Sequence, residues 1–282
     1  MSDTAHGWQA ECSCQLYTTV LVFRFPSMSE IDLSLIIPCY RDAGHLRKNV
    51  GTIVECLRDT RLSWEIVMVN DASPENDGEA ALQAVADWPG YDLRILTHEK
   101  NTGRGRTVMD GLAVARGRFG GFVDIDLEVG AHYIPHLVST LQAGADVACG
   151  LRIYKTCIGL IHRAILSHGY SWLVRNLLGA DLKDTEAGYK FFKMDAIRPV
   201  LAQCTDPGWF WDTEVMVRSK LAGLDVRFSP VLFLRNPQKA STVKIVSDSI
   251  EQFKRLWKFR QELTAKPAPV EGALAQCAVS TH

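Results

Sequence analysis

The chain has no run approaching the roughly 18 apolar residues that a membrane-spanning helix needs. Its longest candidate, Leu16 to Phe25, is broken by Arg24 and preceded by acidic residues. No small-residue cleavage site follows it, so the pattern is not that of a secretory signal. Neither charge sign is in excess: 31 Lys and Arg stand against 32 Asp and Glu in 282 residues, leaving a formal charge of -1. That balance argues against a nucleic-acid coat or another polyanion binder. A cysteine framework is missing too. The 8 cysteines (12, 14, 39, 56, 149, 157, 204 and 277) are scattered, and only Cys12 and Cys14 lie close together. A lone C-x-C makes neither a zinc ribbon nor a disulfide scaffold, so reduced thiols of a cytosolic compartment are expected. There is no Walker loop, no dinucleotide fingerprint and no internal repeat.

What is present is a composition 47% hydrophobic, ample for a sizeable core and incompatible with a disordered chain. From Leu33 onward short apolar runs alternate with helical segments. LSLIIP (33–38), EIVMVND (65–71), LRILT (93–97), GFVD (121–124) and DVACG (146–150) read as strands covered on both faces. Between them, 43–59, 75–88, 105–116 and 133–142 are long enough for helices. This alternation predicts an α/β fold with a mostly parallel central sheet flanked by helices, and ligands at the carboxyl ends of its strands. Further on, 157–178, 212–223 and 245–263 read as helices, the second ending in Gly223. Residues 1–30 read as an N-terminal extension, dispensable or belonging to a misplaced start. Residues 31–264 read as a single domain, and 265–282, rich in Ala and Pro, as a flexible tail.

Three strand ends carry chemistry. Asp124, Asp126 and Glu128 alternate directly after a buried strand, so they can face one cleft and offer hard oxygen ligands to Mg²⁺ or Mn²⁺. Acids complementing a helix N-terminus would look the same. Asp71 opens the turn Asp71-Ala72-Ser73-Pro74, where it can accept hydrogen bonds from a base or ribose, or cap the following helix. Asn101-Thr102-Gly103-Arg104-Gly105-Arg106 places two glycines and positive charge before a helix, where a phosphate could sit.

In order, LSLIIPCYRD, EIVMVNDASPENDG, NTGRGRTVMDGLAVARG and FVDIDLE resemble the family 2 glycosyltransferases. DTEAGYKFFK (184–193), GWFWDTEVMVRSKLAGL (208–224) and RNPQKAST (235–242) look most like the dolichol-phosphate mannose synthase branch, which transfers sugars to polyprenyl phosphates. The resemblance covers about residues 32–262. It implies a GT-A type, nucleotide-diphospho-sugar-binding fold and an inverting, metal-dependent transfer of a hexose.

By resemblance, Pro38, Tyr40 and Asp42 line the nucleotide pocket, with Arg41-Asp42 where family members usually have Asn-Glu. Asp71 would contact the base, and Asp124, Asp126 and Glu128 would sit at the diphosphate and metal. Arg152 matches an arginine near the phosphates or the acceptor. Asp184 and Gly188 match a segment bordering the acceptor side. Asp212 matches the base of many inverting relatives. The acceptor phosphate would be held by Arg163, Ser167, Arg235, Lys239 and Ser241. A phosphate monoester, with its second pKa near about 6, is mostly dianionic at neutral pH and needs positioning more than a general base.

The implied partners are a GDP- or UDP-sugar, a polyprenyl phosphate and a membrane surface, with no nucleic acid. A second copy of the chain or a membrane protein is a further candidate partner. The helices 157–178 and 245–263 would lie at the interface, on the inner face of the cytoplasmic membrane. Over 249–262 the second carries four basic and two acidic residues. Competing readings are a family 2 enzyme acting on a saccharide or glycolipid hydroxyl, with Asp212 as base, and a non-catalytic sugar-nucleotide-binding protein. A nucleotidyltransferase would need a Gly-rich loop after the first strand, and Pro38-Cys39-Tyr40-Arg41 is not one.

Overall fold

A computed structural model describes residues 17–23, 31–74, 92–154, 161–234 and 245–265, with side chains described in all of these except 17–23, 161–168 and 245–250. The strands β1 (Tyr17–Phe23), β2 (Leu33–Cys39), β3 (Trp64–Asn70), β4 (Asp92–His98), β5 (Phe119–Val123), β6 (Val147–Tyr154), β7 (Tyr189–Lys193) and β8 (Val226–Phe233) form one sheet in the order β1-β4-β3-β2-β5-β7-β6-β8. β2, β3, β4 and β5 run parallel, as do β6 and β8. β7 is inserted antiparallel between β5 and β6.

The inner strands are almost wholly buried, so the near-continuous apolar runs of β2, β3 and β5 follow from helices covering both faces. On one face α1 (Ala43–Arg58) and α3 (Ile134–Gln142) pack through Leu46, Ile53, Leu57, Leu137 and Leu141. On the other, α2 (Arg104–Ala113), α5 (Met194–Leu201) and α6 (Trp211–Leu221) pack through Val108, Leu112, Ile197, Trp211 and Val215. α4 (Ile161–Leu178) and α7 (Ile245–Thr264) touch each other, and α7 buries Leu256 and Phe259. α6 ends as expected, with Gly223 in the left-handed region at φ 76°.

Part of the stretch read as an extension pairs with the sheet: Tyr17–Phe23 lies antiparallel on β4 as the edge strand β1. Its run of Thr, Val, Leu and Phe suits a pleated surface. The helix expected over 75–88 and the tail beyond 265 lie outside the described residues. Among the described residues, none of Cys39, Cys56, Cys149 and Cys204 is in a disulfide.

The end of the sheet away from the strand carboxyl termini is closed by a buried ionic knot. Glu65 on β3, fully buried, receives Arg94, Arg116 and Ser34. Burial opposes its charge, but Arg116 and Arg94 outweigh that and hold its carboxyl below the usual range.

Candidate active site

β2 leads through α1 to β3 on one side, while β5 pairs with β2 on the other, so the chain changes direction between β2 and β5. Such a switch point opens a crevice at the strand carboxyl ends. Three non-glycine residues with positive φ sit at the ends of those strands: Arg41 after β2, Ala72 after β3 and Leu127 after β5 (60°, 54° and 50°). Each costs about 1–2 kcal/mol, and such strain gathers where loops must aim side chains.

The β5 end delivers Asp124, Asp126 and Glu128. Asp124 is partly open to the cleft, its side chain 39% exposed. Burial on the cleft floor pushes its carboxyl up; Arg104 opposes this, and the neighbouring Asp126 and Asp212 add to it. The Glu128 backbone N–H donates to Asp126 Oδ1 at 3.3 Å, and its carbonyl accepts from Leu234 beyond β8. No three Asp, Glu, His or Cys side chains among the described residues converge as a ready metal cage, so Glu128 is not gathered with Asp124 and Asp126. A pair of carboxylates remains. Gly188 lies against it: a Cβ there would come within 1.9 Å of Asp124 Oδ2.

Arg104, the first residue of α2, enters the same cleft. Its Nε and Nη2 donate to Asp124 Oδ1 at 3.1 and 2.8 Å, and its Nη1 donates to Asp212 Oδ2. The Phe122 and Trp209 rings lie 5.2 and 5.0 Å from the guanidinium carbon. The glycines of the 101–106 loop let it press against residues 206–211. A Cβ on Gly105 would meet Trp211 Cβ at 2.5 Å and the Gly208 carbonyl at 2.6 Å. Asp212 is 2% exposed, and its other oxygen accepts from the fully buried Lys190 Nζ of β7. Both of its oxygens are therefore held by cations.

Asp71, 3% exposed, works on the same loop. Its Oδ1 accepts from the Thr102 N–H and hydroxyl at 2.8 and 2.9 Å, and its Oδ2 from the Gly103 N–H at 2.9 Å. The His98 ring completes the arrangement, with Nδ1 2.8 Å from Asp71 Oδ1 and Nε2 3.2 Å from Asp110 Oδ2. Burial disfavours a charged imidazole, yet Asp110 and Asp71 overcome it and push His98 up to about 9. At the β2 end Tyr40 is exposed with the Arg41 guanidinium 5.4 Å from its ring centre, Pro38 is half-buried, and Asp42 accepts from the Tyr40 N–H at 3.1 Å.

Across the cleft, Arg152 on β6 forms a two-pronged pair with Asp184, both contacts at 2.8 Å, and Glu186 Oε2 lies 3.8 Å away. Burial opposes the Asp184 charge, but Arg152 holds its carboxyl below the usual range. Glu186 goes the other way: burial pushes it up and Arg152 opposes, while Asp184 and Asp212 reinforce the rise. Tyr170 of α4 and Thr185 both meet the Thr213 hydroxyl at 3.0 Å, tying this side to α6. Arg235, Lys239 and Ser241, and the side chains of Arg163 and Ser167, lie outside the described residues.

Sequence reasoning passed over Lys190, His98 and Glu186, and took Arg104 as loop charge for a phosphate rather than as a partner of Asp124 and Asp212. A basic residue opening α2 was the one available signal, because positive charge at a helix N-terminus is unfavourable unless carboxylates meet it.

Residues 34–203 match the Glycosyl transferase family 2 profile. Glycosyltransferase AglD of Haloferax volcanii is 28% identical over 84% of this chain, which spans 38% of that protein's length. Dolichyl-phosphate beta-glucosyltransferase of Saccharomyces cerevisiae is 25% identical over 80% of this chain and 73% of its own length. The fold is shared with glucosyl-3-phosphoglycerate synthase from Mycobacterium tuberculosis, crystallised with Mn²⁺, UDP and glucosyl-3-phosphoglycerate. That likeness has a TM-score of 0.64 at 15% identity and covers 82% of this chain and 80% of that one. With its α/β sheet, its carboxylates at the switch point and a match over most of the domain, the chain belongs to the family 2 glycosyltransferases.

Proposed function

We propose that the chain transfers a hexose, with inversion, from a nucleoside-diphosphate sugar to a polyprenyl phosphate at a membrane surface, using Mg²⁺ or Mn²⁺. The observation that carries the acceptor class is the state of Asp212. Both its oxygens are taken by Arg104 and Lys190, which suits an acceptor that arrives as a phosphate dianion and needs no general base. The names of the yeast and Dictyostelium discoideum relatives, both dolichyl-phosphate beta-glucosyltransferases, support the same reading.

The donor set fits a divalent cation. Five carboxylates (Asp124, Asp126, Asp184, Glu186 and Asp212) face three cations (Arg104, Arg152 and Lys190). That surplus of negative charge would repel a diphosphate unless a cation were added. Mg²⁺ is commonly held by one or two carboxylates plus substrate phosphates, and Asp124 and Asp126 supply such a pair. When bound, the ion would stabilise the leaving diphosphate. Tyr40, Pro38 and Asp42 edge the nucleotide side, and Asp71 shapes it through Thr102 and Gly103. Arg152, with Arg163, Ser167, Arg235, Lys239 and Ser241, is assigned to the acceptor phosphate.

Membrane contact is assigned to α4 and α7. No helix among the described residues is long and apolar enough to span a bilayer. On α7 Phe253 and Trp257 are exposed, with Lys254, Lys258 and Arg260 beside them, and α4 exposes Trp172. The interface assigned is the inner face of the cytoplasmic membrane.

A hydroxyl acceptor would need a base, and here the geometry offers Glu186, partly exposed and raised in pKa, in place of Asp212. The test is transfer of labelled sugar from GDP-mannose, UDP-glucose or UDP-N-acetylglucosamine to polyprenyl phosphate in detergent, with and without Mn²⁺. A metal-dependent, organic-extractable product that Asp126→Ala abolishes is expected. Donor binding with no lipid product would shift the acceptor to a hydroxyl and make Glu186→Gln the decisive variant.

A further inference from the structure

Arg104 sits where a metal-binding carboxylate is also needed. Its two contacts with Asp124 both fall on Oδ1, and no described group donates to Oδ2. Gly188 makes room for that second oxygen, which packs where any Cβ would otherwise stand. The guanidinium cannot drift away easily. Asp212 holds its third nitrogen, Phe122 and Trp209 lie close to its guanidinium carbon, and the Asp71–His98 network fixes the loop it starts from. One carboxylate therefore gives one oxygen to a built-in cation and leaves the other without a described donor, with its side chain 39% exposed to the cleft.

We propose that Arg104 shares Asp124 with the divalent cation, so that the two charges compete in the empty protein and cooperate once a nucleoside diphosphate bridges them. This rests on the reading of Asp124 and Asp126 as the metal site. Two cations a few Å apart repel, which weakens metal binding to the protein alone. A diphosphate placed between them is attracted by both. Metal and nucleotide then bind as a linked pair, each raising the other's affinity by the same factor. Arg104 is a positioning residue for Asp124 in the empty state and a counter-charge to the diphosphate in the loaded one.

The test measures Mn²⁺ binding to the full chain by the electron paramagnetic resonance signal of free Mn²⁺, first alone and then with saturating UDP or GDP. In the native protein Mn²⁺ should bind weakly alone and at least tenfold tighter with the nucleotide. Arg104→Gln should move the two titrations in opposite directions: on the order of tenfold tighter for Mn²⁺ alone, and on the order of tenfold weaker with nucleotide, since one unit charge at this range is worth about that factor. Arg104→Lys keeps the charge and, if Arg104→Gln does not fold, carries the test. It should leave Mn²⁺ binding alone within about threefold of native. Weaker binding in both titrations for Arg104→Gln, or much weaker binding alone for Arg104→Lys, marks a purely structural role and overturns the sharing. No Mn²⁺ binding by the native protein in either titration overturns the metal reading itself, a result distinct from either variant outcome.

Discussion

Raising pH should weaken the folded protein through one buried imidazole. His98 is 2% exposed at its side chain and lies between Asp71 and Asp110. Its pKa rises from the unfolded value of 6.5 to about 9. The folded chain therefore holds this proton more tightly than the unfolded one. The stabilisation is complete below pH 6.5, declines by about 1.4 kcal/mol per pH unit above it, and is gone once pH passes about 9. Across that window the loss is about 3 kcal/mol, or roughly 6–12 °C in Tm for a chain of this size. The assay is urea unfolding of the native protein and His98→Gln at half-unit steps from pH 6 to 10. Other titrating groups are common to both proteins, so the difference between the two curves isolates His98. That difference should shrink by about 3 kcal/mol between pH 6.5 and 9. A difference constant to within about 0.5 kcal/mol would show that His98 is not charged between its two carboxylates, and the account of how the 98–104 loop is held would fail with it.

Three further outcomes follow from the geometry. Gly188→Ala, whose methyl would overlap Asp124 Oδ2, should lower kcat/KM by about 10²-fold with little change in Tm, and activity within threefold of native would show that the carboxylate needs no such clearance. Glu65→Ala should destabilise the fold by about 3 kcal/mol in denaturant titration, because it strips the mostly buried Arg94 of its carboxylate, while the exposed Arg116 keeps Asp92. A loss under about 1 kcal/mol would mean the knot is no more than a surface pair. The double variant Phe253→Ser, Trp257→Ser should stop flotation with anionic liposomes while sparing solution nucleotide binding, and undiminished flotation would remove α7 from the membrane contact.

Strands β2 to β6 are legible in the sequence because both faces are covered, so their runs are apolar almost throughout. β7 and β8 are not. β7 carries Lys190 as its second residue, a charge whose carboxylate partner Asp212 comes from α6, and β8 is an edge strand bearing Arg227 and Pro230. α5 is short and holds an internal Pro199, which masks it as a helix. At the site, the residues ending strands could be named in advance, since α/β sheets put ligands there. What they are bonded to could not. Arg104 meets Asp212 across 108 positions and Asp124 across 20, and no local pattern encodes such a pairing. Asp71 reads as a ligand-facing acid, yet the structure spends it on a neighbouring loop, because a carboxylate beside free N–H groups satisfies them first.

The antiparallel insertion of β7 sets a length scale. Phe122 and Val123, just before Asp124, are paired with Lys190 and Tyr189, just after Gly188. The two walls of the cleft, one ending in Asp124 after β5 and the other carrying Arg152 on β6, are thus separated by β7, that is by two inter-strand spacings or about 9.6 Å. That separation is a ruler made of main-chain hydrogen bonds. Side-chain substitution can change what each wall grips, but the gap between them stays the same, so new sugar or acceptor preferences can arise at one wall without recalibrating the other.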